Sequence, residues 1–333
     1  MDTALQSMQF LPKQIQHALA DVKTIEFPQA YKSVQNIVIA GMGGSLFPYY
    51  VITSLFPEKL LIPILACNDY TLPSYVNEST LFLASSYSGT TEETLHTANL
   101  AHEKGAHISG LTTGGKLADF FSSKNLPFYH ITPTYNPSGQ PRIAVGYMIF
   151  GIVAMLQRLG LLNVFLEEIE QSVNELTKGD SEIVKRAEAF EKDTNNAMYI
   201  YVAAEHLSGA AHTMRNQTNE TAKTFAEYNL VPELNHHFME GLAFPKDKNV
   251  EFIFLDSLLY SPRVQKRMML TKQVIEKQGI KVNNISLPAP TKLNEFLHFL
   301  QFGSYFTYAR AQTNGVDASK VPWVDYFKKE LDK

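Results

Sequence analysis

Cysteine and an excess of basic charge are both missing from this sequence. Its 333 residues include one cysteine, Cys67, and 29 basic residues stand against 33 acidic ones. A single cysteine excludes an internal disulfide framework and a cysteine-based zinc cluster. The formal net charge of -4 argues against nucleic acid or a membrane surface as a partner, because proteins that bind either usually present a basic face.

Long uncharged apolar runs are missing as well. No stretch reaches the roughly 18 residues that a membrane-spanning helix needs, and the first residues lack the basic start and apolar segment of a signal peptide. Apolar residues nevertheless make up 45% of the chain, which is enough for sizeable cores. We therefore expect a soluble cytoplasmic protein of two ordinary domains, or of one large domain.

What the chain does have is an alternation of short apolar runs and helical patterns. Asn36 to Ala40 and Thr80 to Ser85 are typical strands of the first half, and Met198 to Ala203 opens a second series. The alternation predicts an α/β fold of two doubly wound domains, each with a mainly parallel sheet flanked by helices. We interpret the charged helical stretch from Asn163 to Asp193 as a bridge, and expect domains at 1–153 and 154–333.

A glycine-rich turn, Gly41-Met42-Gly43-Gly44-Ser45, follows the first expected strand. Glycines there let a ligand approach the backbone, and the amides at a helix start suit an anion. A nicotinamide-dependent oxidoreductase does not fit, because Leu46 stands where the third glycine of G-x-G-x-x-G would be. A tight turn without a ligand remains the alternative.

A run of hydroxyl side chains follows the next buried strand, from Ser85 to Thr91. Ser86, Ser88 and Thr91 could converge with the amides of a helix start on a phosphate group. The alternative is a capping box, in which a hydroxyl caps a helix with glutamate in its first turn. A cap accounts for one or two of these hydroxyls, so the run favours a phosphate site.

Three further positions carry groups that could take part in chemistry. Arg142 stands at the start of an apolar helix predicted over Ile143 to Leu162, where the helix dipole disfavours a cation, so we expect it to have a partner; a surface salt bridge is the alternative. Glu220 and His236 could act as a carboxylate base and an imidazole acid, or be surface groups. A metal site is not expected, because the adjacent His236 and His237 cannot readily face one ion.

Taken in order, these segments resemble the bifunctional phosphoglucose/phosphomannose isomerase family of the sugar isomerase (SIS) domain superfamily. The likeness runs from about Val34 to Lys329. It rests on GMGGS at 41–45, SYSGTTEE at 86–93, PRIAVGY at 141–147, Asn219-Glu220, PELNH at 232–236 and GVD at 315–317.

The resemblance implies two SIS-type domains and an isomerase that interconverts glucose 6-phosphate, and mannose 6-phosphate as a second substrate, with fructose 6-phosphate. It implies no cofactor and no metal, and a homodimer in which His236 reaches the partner's substrate. Glu220 would move a proton between C2 and C1, His236 and Lys328 would act on the ring and O1 oxygens, and Arg142 would stabilise the enediolate. The phosphate-binding residues would be Gly43, Gly44, Ser45, Ser86, Ser88 and Thr91.

Two departures from the family pattern bear on substrate and mechanism. His237-Phe238 replaces the usual Asn-Glu after His236, and Val321 stands where a threonine is thought to help accept mannose 6-phosphate. An isomerase of a different phosphosugar and a non-catalytic phosphosugar-binding module remain alternatives. The joint presence of Glu220, His236, Arg142 and Lys328 speaks against the second.

Overall fold

The computed structural model describes residues 2–331, and their contacts divide the chain into two compact units. The N-terminal unit is Gln9–Lys178, and the C-terminal unit is the chain from Gly179 onward together with residues 2–8. The division lies inside a long helix, Leu166–Asp193. The sequence-based boundary at 153/154 stays a prediction; it falls within the helix Val145–Arg158.

The N-terminal unit is built on a parallel sheet of five strands in the order β2-β1-β3-β4-β5. Ala40 pairs with both Cys67 and Ala84, so the turns after β1 and β3 leave the same edge of the sheet. All residues of β3 are buried, as expected for a strand covered on both faces. The strands are β1 (Asn36–Ala40), β2 (Ile64–Cys67), β3 (Thr80–Ser85), β4 (His107–Thr112) and β5 (Tyr129–His130).

Helices cover both faces of this sheet, and two of them approach each other closely. Gly146 lies against Gln14, where an added Cβ would come within 2.6 Å of the Gln14 Cβ. The Gln14 amide donates to the Ile143 carbonyl (3.0 Å) and accepts from the Gly146 N–H (3.1 Å). The helices of this unit are α2 (Leu11–Val22), α3 (Phe47–Leu55), α4 (Glu92–Glu103), α5 (Gly115–Ser123), α6 (Val145–Arg158) and the first part of α7 (Leu166–Asp193). Helix α1 (Thr3–Gln9) precedes them in the chain.

The C-terminal unit repeats the plan with four parallel strands in the order β7-β6-β8-β9. Helix α1 belongs to this unit: Gln301 donates to the Met8 carbonyl (3.0 Å) and Tyr308 to the Asp2 carboxylate (3.0 Å). The strands are β6 (Met198–Ala203), β7 (Ala226–Leu230), β8 (Val250–Asp256) and β9 (Lys281–Ser286). The helices are α8 (Ser208–Gln217), α9 (Phe238–Gly241), α10 (Pro262–Lys277), α11 (Lys292–Thr313) and α12 (Pro322–Leu331).

The predicted α/β architecture with parallel sheets is confirmed, and one strand of the C-terminal sheet was not expected. Strand β7 was not predicted, because an edge strand of sequence AEYNL buries only Ala226 fully. The chain begins with two successive helices, α1 and α2, and Pro12 lies in the first turn of the second, where proline fits. Among residues 2–331, no helix is long and apolar enough to cross a membrane.

Candidate active site

The turn after β1, residues 41–45 (the glycine turn), is packed too tightly for side chains at two of its glycines. An added Cβ would lie 2.9 Å from the Ser85 carbonyl oxygen at Gly41 and 3.1 Å from the Arg142 nitrogen at Gly44. The Ser45 hydroxyl accepts from the Tyr87 N–H (3.1 Å), and the Ser45 carbonyl accepts from the Ser85 hydroxyl (2.6 Å). These bonds tie the glycine turn to the turn that follows β3.

That second turn, residues 86–91 (the hydroxyl turn), is held by its own side chains. The Ser86 and Thr91 hydroxyl oxygens are 2.8 Å apart, and the Gly89 N–H donates to Ser86 Oγ (3.1 Å). The Ser88 and Thr90 hydroxyls form a second pair (3.0 Å). Gly89 has φ +67°, and a Cβ there would lie 1.8 Å from the Gly114 carbonyl oxygen, so only glycine fits.

The hydroxyl turn leads into α4 without the capping box that was its alternative interpretation. Thr91 is the residue before the first turn of α4, yet within the described chain its side chain makes no capping hydrogen bond. The Thr91 hydroxyl is directed at Ser86 instead. The start of α4 therefore keeps its amides and its positive dipole end for another acceptor, which suits an anion.

Arg142 lies beside the glycine turn on a buried 3-10 turn, Pro141–Ile143, and is only 1% exposed. The predicted helix start at Ile143 is displaced to Val145, so Arg142 precedes the first turn of α6. Its guanidinium donates to Gln140 Oε1 (2.8 Å). Asn136 in turn donates to the Tyr87 hydroxyl (2.7 Å) and to the Gln140 carbonyl (3.2 Å). The loop that precedes Arg142 is thereby tied to Tyr87 in the hydroxyl turn.

The structure thus brings one set of predicted residues together within the N-terminal unit. They lie outside the carboxyl ends of β1 and β3. The chain leaves β1 toward one edge of the sheet and leaves β3 toward the other, and such a point is the usual place for ligands in open parallel sheets. Burial raises the pKa of the Tyr87 hydroxyl, which keeps that group neutral beside them. The set is Gly43, Gly44, Ser45, Ser86, Ser88, Thr91 and Arg142.

Glu220 belongs to the C-terminal unit and lies on a single π-helical turn, Thr218–Ala222, that ends α8. The neighbouring Asn219 amide donates to the Arg215 carbonyl (3.0 Å) and exchanges two hydrogen bonds with the Ala226 backbone at the start of β7 (2.8 and 3.2 Å). Lys223, which follows, is left-handed with φ +53°. Wide π turns of this kind are common at functional sites. The Asn219 hydrogen bonds fix the turn that carries the half-buried Glu220.

His236 ends a 3-10 turn, Glu233–His236, and its ring is exposed. Asn235, just before it, donates to the Thr271 hydroxyl (2.7 Å) and accepts from the Arg267 guanidinium (3.1 Å). His237 lies 3.7 Å from the Glu233 carboxylate on the same turn. The turn is therefore anchored to α10, while His237 is engaged with its own neighbour.

Lys328 lies on α12, in which every residue is exposed, Trp323 by 81%. Glu220, His236 and Lys328 therefore occupy three separate elements of the C-terminal unit. Val321 immediately precedes α12. Among residues 2–331, no cluster of three or more histidine, cysteine, aspartate or glutamate side chains could hold a metal ion.

Sequence reasoning did not single out Asn136 and Gln140 next to Arg142, or Arg267 and Thr271 next to His236. The first two lie in a loop rich in proline, and the others on an ordinary charged helix. Their roles depend on contacts between residues far apart in the chain. The one local signal was the asparagine at 136 followed by Pro, Ser and Gly, a typical turn sequence.

Comparison with known proteins agrees with the fold. Residues 183–331 match the family described as "Bacterial phospho-glucose isomerase C-terminal SIS domain". Tagatose-6-phosphate ketose/aldose isomerase from Escherichia coli has the same fold, with a TM-score of 0.72 at 13% identity over 96% of this chain and 95% of that one. Residues 183–331 therefore belong to the class of SIS domains, and the fold of the whole chain matches that of the Escherichia coli enzyme.

The curated relatives narrow the class to one family. A bifunctional phosphoglucose/phosphomannose isomerase from Caldicellulosiruptor bescii is 31% identical over 98% of this chain and 98% of the relative. The chain belongs to the bifunctional phosphoglucose/phosphomannose isomerase family. A D-glucosamine-6-phosphate 4-epimerase from Sulfolobus acidocaldarius is also similar, at 30% identity over 63% of this chain and 64% of the relative.

Proposed function

We propose that the protein interconverts glucose 6-phosphate and fructose 6-phosphate, with mannose 6-phosphate as a second substrate. The observation that carries the proposal is the hydroxyl turn, whose Thr91 faces Ser86 instead of capping α4. Such a turn offers hydroxyls and helix-start amides to a phosphate group. Membership of the family supports the same choice of substrate.

The phosphate would be held by the residues at the ends of β1 and β3. Ser88 is exposed and Thr91 half-buried, so both can meet a ligand, while the buried Ser86 and Ser45 hydroxyls order the two turns beneath it. Gly43 and Gly44 let the ligand approach the backbone of the glycine turn. This binding would fix the sugar by its unreactive end.

The chemistry at the other end of the sugar is a proton transfer. His236 and Lys328 would act on the ring and O1 oxygens to open the hemiacetal. Glu220 would then take the proton from C2 and return it to C1, while O1 takes up the proton that O2 releases. The intermediate is an enediolate, and the Arg142 guanidinium would stabilise its negative oxygen. The hydrogen moves as a proton, so the step needs no redox cofactor.

We also propose a cytoplasmic homodimer in which His236 serves the substrate of the partner subunit. The exposed ring at the end of an anchored turn supports this arrangement. Mixing Glu220→Gln and His236→Asn subunits tests it. If His236 acts across the dimer, random mixing should restore about a quarter of the wild-type activity, because half of the dimers gain one complete site. A mixture as inactive as its parents would place both residues in one subunit.

The proposed reaction is tested by a coupled assay with fructose 6-phosphate in EDTA, in which glucose 6-phosphate and mannose 6-phosphate are followed separately. We expect both products from the wild type. Glu220→Gln should lower kcat about 10²- to 10⁴-fold while the variant still binds sugar phosphate. Glu276→Gln, an exposed glutamate on α10, is the control and should be unaffected. A Glu220→Gln variant that keeps most of the activity would refute the proton shuttle.

A different phosphosugar is the second candidate, favoured by the similarity to D-glucosamine-6-phosphate 4-epimerase. Val321, where the family pattern suggests a threonine, affects the same question. Glucose 6-phosphate as the sole product would indicate a specialised isomerase. Neither product, with conversion of glucosamine 6-phosphate, would indicate the second candidate, and binding of phosphosugars without turnover would indicate a binding protein.

A further inference from the structure

A cavity of about 460 Å³ lies in the C-terminal unit between α10 and the segment that follows β7. This volume is in the range of sites for small molecules. None of its residues belongs to the glycine turn or the hydroxyl turn. It is lined by Asn235, Met239, Arg263, Lys266, Arg267, Leu270, Thr271 and Val274.

One wall of the cavity carries three cations. Arg263, Lys266 and Arg267 are spaced three and four residues apart, which puts them on one face of α10. Within residues 2–331, none of the three forms an ion pair with a carboxylate, although Lys272 on the same helix pairs with Asp256 (2.5 Å). Like charges at this spacing repel each other. An anion in the cavity would relieve that repulsion.

One of these cations is held in place before any ligand arrives. The Arg267 guanidinium donates to Asn235 Oδ1 (3.1 Å), and Asn235 donates to the Thr271 hydroxyl (2.7 Å). The Thr271 hydroxyl donates back to the Arg267 carbonyl (2.7 Å), which closes the chain of bonds. Guanidinium has five donors, so Arg267 keeps others for an acceptor. A side chain already ordered loses little entropy on binding.

The remaining wall of the cavity is apolar. Met239, Leu270 and Val274 line it, and Leu270 is 45% exposed. Cations on one side and apolar groups on the other suit a ligand with an anionic head and an apolar body. Guanidinium groups match the oxygens of phosphate in pairs, and several cations together favour a doubly charged group.

We propose that this cavity binds a small phosphomonoester whose remaining part is apolar. The ligand's phosphate lies against Arg263, Lys266 and Arg267, and its apolar part lies against Met239, Leu270 and Val274. Asn235 directly precedes His236, so the ligand contacts the turn that carries that histidine. The proposal does not depend on the proposed isomerase activity.

Phenyl phosphate, titrated into the full chain labelled with methyl-¹³C methionine, tests the proposal by NMR. Met239 lines the cavity and Met42 lies in the glycine turn, so the two methyl signals report the two places separately; Met239→Leu and Met42→Leu assign them. We expect a saturable shift of the Met239 signal. Inorganic phosphate should bind at least about tenfold more weakly, because it lacks the apolar part. Benzyl alcohol should give no saturable shift.

Charge variants complete the test. The double variant Arg263→Gln/Lys266→Gln removes two exposed cations and should weaken phenyl phosphate binding at least about tenfold. Lys277→Gln changes an exposed lysine of α10 outside the cavity and should bind as the wild type does. Circular dichroism checks that both variants are folded. A shift of Met42 without Met239, equal binding of inorganic phosphate, or unchanged binding by the double variant would overturn the proposal.

Discussion

The two units use the same succession of elements but treat the ends of their central strands differently. In each unit the first strand lies between the second and the third, and the fourth lies beyond the third. Ala40 pairs with Ala84 in one sheet, and Val202 pairs with Phe254 in the other. Ser86 is the first residue after β3 and Ser257 is the first residue after β8, so the turn after β8 corresponds to the hydroxyl turn and Ser257 to Ser86.

In the C-terminal unit, carboxylates of the protein itself accept hydrogen bonds from the turn after β8 and from the start of α10. Glu205 accepts from the Ser261 N–H (3.1 Å) and hydroxyl (2.7 Å) at the start of α10. The buried Glu295 accepts from Ser257 (2.5 Å) and pairs with His206 (2.7 Å). Helix starts attract anions, and here a side chain supplies one. The same fold therefore leaves the hydroxyl turn open in one unit and closes the corresponding turn with a carboxylate in the other, because the turn residues decide which groups are available.

Gly89→Ala should give the largest effect, a loss of activity that depends on the hydroxyl turn and not on the corresponding turn after β8. The new Cβ would collide with the Gly114 carbonyl oxygen at 1.8 Å and would occupy a left-handed residue, so the hydroxyl turn must move. We expect kcat/KM for fructose 6-phosphate to fall by about 100-fold or more, which corresponds to ~3 kcal/mol. Gly139→Ala is the control, since Gly139 also has positive φ but open space around it. Equal losses in both variants would mean that strain alone matters.

Acid should weaken the C-terminal unit through His212. Burial, and secondarily the nearby Arg215, lower the pKa of His212 from 6.5 to about 3. Native His212 therefore stays neutral while the unfolded chain takes up a proton below about pH 6.5, so stability falls as the pH drops from there toward 3. The slope is about 1.4 kcal/mol per pH unit.

Hydrogen exchange measured between pH 6.5 and 4.5 checks this expectation. After correction for the intrinsic pH dependence of exchange, peptides from α8 and β6 should lose protection as the pH falls. His212→Gln should flatten that dependence even if it lowers the overall stability. A dependence of the same steepness in the variant would assign it to other groups.

The corresponding serines Ser86 and Ser257 give a matched pair of variants. Ser86→Ala removes the hydroxyl that bonds Thr91 and Gly89, and we expect KM for fructose 6-phosphate to rise about tenfold. Ser257→Ala leaves the buried Glu295 with one donor fewer, which should cost about 1–3 kcal/mol of stability without changing KM. Steady-state kinetics and urea unfolding measure the two effects. The comparison fails if both variants change the same quantity.

Glu205→Gln should give the smallest effect. Its carboxylate lies at the start of α10, where a negative charge stabilises the helix by about 0.3–1 kcal/mol. The amide keeps an oxygen for Ser261 but loses the charge. We expect a small decrease in the midpoint of thermal unfolding that shrinks at high salt. An unchanged midpoint at low salt would show that the charge has no stabilising role there.

The sequence predicted what depends on neighbouring residues. Strands β1 and β3 and the turns behind them follow from apolar runs bounded by glycine and hydroxyl residues, and the structure places them accordingly. Strand β7 escaped prediction because an edge strand needs few apolar side chains. The π turn at Glu220, and the replacement of an anion by Glu205, depend on register and long-range hydrogen bonds. No local pattern records them.

Helix α1 is synthesised first but belongs to the C-terminal unit, whose other elements are synthesised last. Ala4, Ser7 and Met8 are buried there, and the Met8 carbonyl accepts from Gln301, 293 positions later. At a synthesis rate of about 5–20 residues per second, that partner follows some ~15–60 s after α1. During translation the N-terminal unit can fold as soon as it leaves the ribosome. The first helix must wait for nearly the whole of the chain.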